Sequence, residues 1–185
     1  SILVFLAAIV ASLVLTMPDG SAVEWVSRSR EGGISIFRSV DEGSGFTEQP
    51  LRAVAELDDL DAVCVCDHGM AFYFPEDIAW SWEYVTNPSL LDEYMEWGDS
   101  RLERHLAQLA PFAPRGVHAG LEVEMSMDGR LIYNPAFRDR LAVLIGSVHV
   151  LHVPKRGCFT SNKVYDCWLN YTEGLLSSGI DILGH

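Results

Sequence analysis

Apolar residues fall along this chain in two rhythms. Short β-branched and aliphatic runs occupy residues 62–66, 117–121, 141–148 and 180–183, and longer stretches between them space their apolar positions at a helical period. The runs predict strands buried on both faces, as parallel sheets require. Each run stops at a residue able to bind a metal. They read AVCVC then Asp67 and His68, VHAGL then Glu122, LAVLIGSV then His149, and IDIL then Gly184 and His185.

The remaining pattern fills in the helices and turns. Pro18 to Ser21 (PDGS) reads as a turn. Residues 21–30 predict a short helix ended by Gly32 and Gly33, and alternation over 34–37 predicts a strand. Residues 41–45 (DEGSG) form a loop, and Thr47 caps a helix reaching about Leu57. Residues 69–87, polar and rich in aromatics, read as a long loop, a kind that is usually functional or lid-like. Ser89 is placed as the cap of a helix over 90–109, where Leu91, Tyr94, Met95, Leu102, His105, Leu106 and Leu109 approximate a 3.6 period. Asp128-Gly129 marks the turn of a hairpin-like excursion, and a last helix runs from Ser161 or Asn162 to about Ser177. Strand and helix thus alternate, which predicts a parallel α/β fold. In barrels of parallel strands the chemistry gathers where strands end.

Residues 2–15 are almost wholly apolar but shorter than the ~20 residues of a membrane-spanning helix. Three readings stand: a signal or anchor segment giving membrane association through 2–15, a buried strand or helix, or a non-native stretch before Met17. The expected organisation is an apolar segment over 1–16, a linker over 17–33 and one domain over 34–185.

Composition narrows the partners. The 185 residues are 49% hydrophobic and carry 26 acids against 13 bases, for a net charge of -13. No Lys/Arg stripe offsets that charge, so nucleic acid is not an expected partner. A small phosphorylated substrate is compatible if divalent cations hold it. Cys64, Cys66, Cys158 and Cys167 lack paired C-x2-C spacing and read as buried structural thiols.

His68, Glu122, His149 and His185 offer the imidazole and carboxylate donors that zinc, manganese and iron accept. Two or more such ions could share a carboxylate and clamp a phosphoester, with bound hydroxide as nucleophile. Asp67 is placed either behind the ligands, orienting His68, or as a cap of the following turn. Glu124 shares the Glu122 face if the strand continues, but is expected to be structural or solvated. His105, His118 and His152 are not expected to be ligands, and the ELDDLD run at 56–61 reads as a solvated turn. Lys155 and Arg156 follow the His149 strand and are the candidate phosphate contacts.

The segments Cys66-Asp67-His68-Gly69, Gly120-Leu121-Glu122-Val123-Glu124, Gly146-Ser147-Val148-His149 and Asp181-Ile182-Leu183-Gly184-His185 resemble successive motifs of the polymerase and histidinol phosphatase (PHP) superfamily. The last two are most similar to its histidinol-phosphatase branch, and the resemblance covers roughly residues 34–185. It implies a distorted (β/α)7 TIM-like barrel, incomplete here, with two or three divalent ions (Zn, Mn or Fe). It further implies phosphomonoester hydrolysis, with His68, Glu122, His149 and His185 as ligands and Glu122 bridging. A cytoplasmic location follows from the resemblance, an exported or anchored one from residues 2–15. Two positions depart from the family pattern. Its first strand ends in H-x-H where this chain reads Ile36-Phe37-Arg38, and its late D-x-H pair would lie beyond His185. Arginine stays protonated and has no lone pair to offer a metal. The alternative is therefore a degenerate member that binds a ligand or partner without catalysis.

Overall fold

A computed structural model describes residues 13–16, 22–28, 34–39, 62–153 and 161–184. The helix expected over 47–57, the loop at 41–45, Cys158, Lys155, Arg156 and His185 lie outside the described residues. Among the described residues seven strands form one sheet in chain order. They are β1 (Leu13–Thr16), β2 (Ala22–Arg28), β3 (Ile34–Ser39), β4 (Ala62–His68), β5 (Val117–Val123), β6 (Val143–Gly146) and β7 (Ile182–Leu183). The first three pair antiparallel, and every step from β3 to β7 is parallel. The protein is thus a mixed α/β fold built around a parallel sheet.

One expectation is overturned at the start of the chain. Residues 22–28 form a strand, not a helix, paired on one side with β1 and on the other with β3. The sequence AVEWVSR is rich in Val and Trp, which suit a pleated surface, and ladder partners on both sides outweigh its weak helical preference. The apolar segment contributes β1 to the same sheet.

The expected loop at 69–87 also differs. It folds into three short helices, α1 (Gly69–Tyr73), α2 (Glu76–Ser81) and α3 (Glu83–Thr86). Met70, Phe72, Tyr73, Phe74, Ala79, Tyr84 and Val85 from this stretch are all buried in the main core. Burial of so much apolar area stabilises helices too short to stand alone.

Helix α4 (Ser89–Leu109) follows, and α5 (Ser161–Ser177) precedes β7. Ser89 lies inside α4, with Pro88 at the cap position, and its hydroxyl donates to Asn87 Oδ1 at 2.7 Å. No described helix is long and apolar enough to cross a membrane.

The two faces of the sheet are distinct. Val63, Val65, Val117, Leu121, Val123 and Leu144 join Leu91, Leu102, Leu106 and Leu109 of α4 and Leu175 of α5 in the main core. The opposite face carries a separate cluster of Cys64, Cys66 and Ile145, with Val143 packed against it. Period-two alternation makes this division, since neighbouring residues point to opposite faces. Cys64 and Cys66 lie 3.8 Å apart at sulfur and are free thiols, as is Cys167. Gly120 lets them fit: a Cβ there would meet the Cys66 sulfur at 2.3 Å.

His105 of α4 packs against the Phe72 ring, 5.1 Å between centroids, and is 2% exposed. Among the described residues neither of its ring nitrogens has a hydrogen-bond partner.

Helix α4 is held to α1 through Tyr73. Its hydroxyl donates to Asp99 Oδ1 at 2.8 Å and accepts from the Asn134 backbone N–H at 3.0 Å. Asn134 Nδ2 closes the triangle by donating to Asp99 Oδ2 at 2.7 Å. The ring packs closely against Gly98, where an added Cβ would clash with Tyr73 Cδ1 and Cγ. Gly98→Ala is therefore expected to destabilise the fold by ~1–3 kcal/mol through overpacking, although alanine alone would favour the helix by ~1 kcal/mol. Urea unfolding of the variant measures the difference.

Candidate metal centre

The strand register brings the chemistry together. His68 ends β4 opposite Glu122 of β5, and Glu122 in turn pairs with Ile145 of β6. Period two then places Glu124 and Ser147 on the same face as Glu122, one step further along. The Ser147 backbone N–H donates to Val123 O at 2.9 Å, carrying the β6 pairing past the formal strand end toward His149.

At this end of the sheet two imidazoles meet two carboxylates. His149 Nδ1 lies 2.7 Å from Glu124 Oε1, and its Nε2 lies 3.4 Å from Glu122 Oε1. His68 Nδ1 is 3.9 Å from both Glu122 Oε2 and Glu124 Oε1. The two imidazole rings stand edge to face, 4.9 Å between centroids. His68, Glu122 and Glu124 are almost wholly buried and His149 partly so.

Neighbours fix these side chains in place. Ser147 Oγ donates to Glu122 Oε1 at 2.6 Å. The Glu124 carbonyl accepts from Ile132 N–H at 2.9 Å, and Tyr171 of α5 bonds both backbone groups of Met125. Asp67, fully buried, accepts the His68 backbone N–H on Oδ1 at 3.0 Å. The partly buried Trp82 indole lies 5.7 Å from the His149 ring at 36°.

The electrostatics follow from this pairing. Burial alone pushes the Glu122 carboxyl up, but hydrogen bonding to His149, the electrostatic influence of the neighbouring His68 and the Ser147 hydroxyl together bring it down to about 2. Burial pulls His149 down, yet its bonds to Glu122 and Glu124 outweigh that and raise it to about 9. His149 therefore holds a proton between the two carboxylates at neutral pH, in a place that favours positive charge.

The donor set fits a divalent ion. One ligand atom each from His68, Glu124 and His149 lies within 4.8 Å of the others, so this cluster could hold a metal. Bonds of ~2.0–2.2 Å to nitrogen and oxygen would draw such donors somewhat closer together. Glu124 is 1% exposed, and its Oε2 has no hydrogen-bond partner among the described residues. A buried carboxylate oxygen without a partner is costly, and a cation would satisfy it.

Of the four ligands expected from sequence, the structure brings His68, Glu122 and His149 together, while His185 lies outside the described residues. Glu124, expected to be structural or solvated, is buried in the centre of the cluster. Its alternation with Glu122 was the available signal. Ser147 belongs to the Gly146–His149 motif, and Trp82 to the aromatic stretch whose Trp80, Trp82, Glu83 and Tyr84 read either as a lid over the site or as packing, but sequence alone gives neither residue's contact with the cluster. His118 is exposed near the start of β5, and Asp181 is occupied by Arg138, at 2.8 and 2.9 Å, and by the Leu144 amide.

Trp82 has the only positive φ among the described non-glycine residues, 60°, as the joint between α2 and α3. A side chain in this left-handed region costs roughly 1–2 kcal/mol, which glycine avoids.

Comparison with protein-family models, curated protein sequences and solved structures finds no match to this chain.

Proposed function

We propose that this chain is a metal-dependent phosphoesterase, similar to the histidinol-phosphatase branch of the PHP superfamily, acting on a small phosphomonoester. The observation that carries the reading is the convergence of His68, Glu122, Glu124 and His149 at the ends of three adjacent parallel strands. Three of the four sequence motifs that resemble the family supply these residues in order. Strands in chain order with helical packing on one face are also the arrangement of a barrel wall, which supports the TIM-like architecture.

His68, Glu122, Glu124 and His149 would hold a divalent ion, which would supply Lewis-acid polarisation of a phosphoryl oxygen and a water of lowered pKa. The chain's own residues do the rest. Glu122, oriented by Ser147, and Glu124 provide the negative charge that retains cations. His149 would have to be neutral to serve as a ligand, and Asp67 fixes the backbone from which His68 projects. His185 follows β7 and is assigned as a further ligand, with Lys155 and Arg156 as the phosphate contacts.

One observation favours a second reading. Strand β3 lies parallel beside β4, with Ile36 in register with Cys64, and its end reads Phe37, Arg38, Ser39. No imidazole or carboxylate is offered there. A chain that binds an ion and a ligand without hydrolysing it would have this composition.

Assay of p-nitrophenyl phosphate hydrolysis with added Mn2+ or Zn2+ separates the two. Hydrolysis that a chelator removes and the metal restores is the expected result. Stoichiometric metal binding without turnover would favour the second reading, and absence of both would reject each.

A further inference from the structure

We infer that Cys64 and Cys66 form a second metal site, one that takes a thiophilic divalent ion content with two ligands, the chemistry of mercury(II). The two thiols take no part in the proposed hydrolysis, so the site stands or falls apart from that reading.

Positions 64, 66 and 68 alternate to one face of β4, which sets the thiol pair directly behind His68. The two sulfurs lean together to 3.8 Å, Cys66 donating to Cys64, and both thiols are free. Each residue is 2% exposed. Gly120, in register with Cys66 on β5, makes the room, since a Cβ there would collide with both sulfurs. Ile145 and Val143 of β6 complete an aliphatic surround.

A disulfide does not fit this geometry. Residues two apart on a strand are separated by ~6.6 Å with their side chains parallel, whereas a disulfide brings Cβ atoms to within ~4.5 Å. Closing it would pull β4 out of its ladders with β3 and β5. A bridging ion spans the gap instead. Metal–sulfur bonds of ~2.3 Å let two sulfurs on one ion stand up to ~4.6 Å apart, in line. Turning each χ1 by roughly 15° opens the pair that far and stays within a rotamer well.

Donor number and charge select the ion. Zinc in a closed site wants four ligands. Among the described residues the group that gathers three donors is His68, Glu124 and His149, and neither cysteine belongs to it. Sulfur alone suits a soft ion, and mercury(II) is satisfied by two thiolates in line. Two thiolates and a divalent ion are together neutral. A monovalent ion would leave a negative charge buried on the face that also carries the buried Glu122. On binding, each S–H bond is replaced by a bond from sulfur to the ion, and the two protons pass to solvent with no change of oxidation state.

The test uses the full chain carrying Cys158→Ser and Cys167→Ser, in which Cys64 and Cys66 are the remaining thiols. It is given one equivalent of Hg2+ and an excess of N-acetylcysteine, a competing monothiol, and is recovered by gel filtration. The expected product holds one ion per chain at the oligomeric state of the ion-free protein, and its X-ray absorption shows two sulfur neighbours with no nitrogen or oxygen. Cys64→Ala or Cys66→Ala in this background should give up the ion to N-acetylcysteine, a loss of affinity of roughly 100-fold or more for one donor against two linked ones. Circular dichroism checks each fold, and where an alanine variant unfolds the absorption spectrum of the two-thiol chain decides. Loss of the ion from the two-thiol chain, an ion bridging two chains, nitrogen or oxygen in its shell, or equal retention by a folded alanine variant would each overturn the inference.

Discussion

Glu124→Gln is expected to lower the affinity of the chain for Mn2+ or Zn2+ by roughly 100-fold or more, about 2.7 kcal/mol. Glutamine keeps the shape of the side chain, and its amide oxygen can still accept from His149. What it removes is the negative charge, and where Oε2 is buried without a partner among the described residues it can place an amide that repels a cation. A direct ligand is at stake, so the loss should be at least as large as the 10–100-fold typical of groups behind the ligands. Glu93→Gln, an exposed acid on α4, serves as the control and should leave affinity unchanged. Calorimetric titration of the three proteins measures the difference. Hydrolysis by the metal-loaded chain should fall in parallel.

The second large effect is on stability against pH in the chelator-treated chain, where the three shifted groups work in different directions. His149 is raised from 6.5 to about 9, so its stabilising contribution is complete below about pH 6.5 and is lost as pH rises through 9. Glu122 is lowered from 4.5 to about 2, so its contribution is complete above about pH 4.5 and is lost as pH falls toward 2. His105 is lowered from 6.5 to about 4 by burial, so the fold loses stability as pH falls from 6.5 through 4 and the unfolded chain takes up the proton. The melting temperature should therefore peak near pH 6.5 and decline on both sides. His105→Leu removes a buried imidazole that has no hydrogen bond among the described residues and should flatten the acid limb. At pH 4.5 it should stabilise by ~2 kcal/mol relative to the parent, several degrees in Tm, with a much smaller effect at pH 8. Saturating metal should raise the alkaline limb, because the ion replaces the proton on His149. Thermal melts across pH 4–9 check both limbs.

The strands that position the centre were legible because burial leaves mostly apolar runs, continuous in the first five residues of β4 and in β6 and interrupted in β5 by the exposed His118 and by Glu122. Their register was legible only through its outcome, ligand-type residues at each end. Glu124 shows the limit of that reasoning. Alternation placed it on the correct face, but whether a carboxylate just beyond a strand is solvated depends on what covers it. Here Ile132 and Tyr171, at separations of 8 and 47 residues, fix the surrounding backbone. Strand β2 was misread for a related reason. Its helix propensity is local, whereas the pairing with β1 and β3 that makes it a strand is not. The aromatic stretch after His68 was read as a loop because three short helices joined by Pro75 and a left-handed tryptophan leave no sustained period. Nothing in the identity of a tryptophan announces a positive φ.

The most direct test of the metal centre is X-ray absorption on the chain loaded with one equivalent of Zn2+. The cluster of His68, Glu122, Glu124 and His149 predicts scattering from nitrogen and oxygen only, at ~2.0–2.1 Å, with the outer-shell pattern of two imidazoles. Sulfur scattering at ~2.3 Å would instead assign the ion to Cys64 and Cys66 and contradict the account. Failure to bind zinc stoichiometrically would contradict it as well.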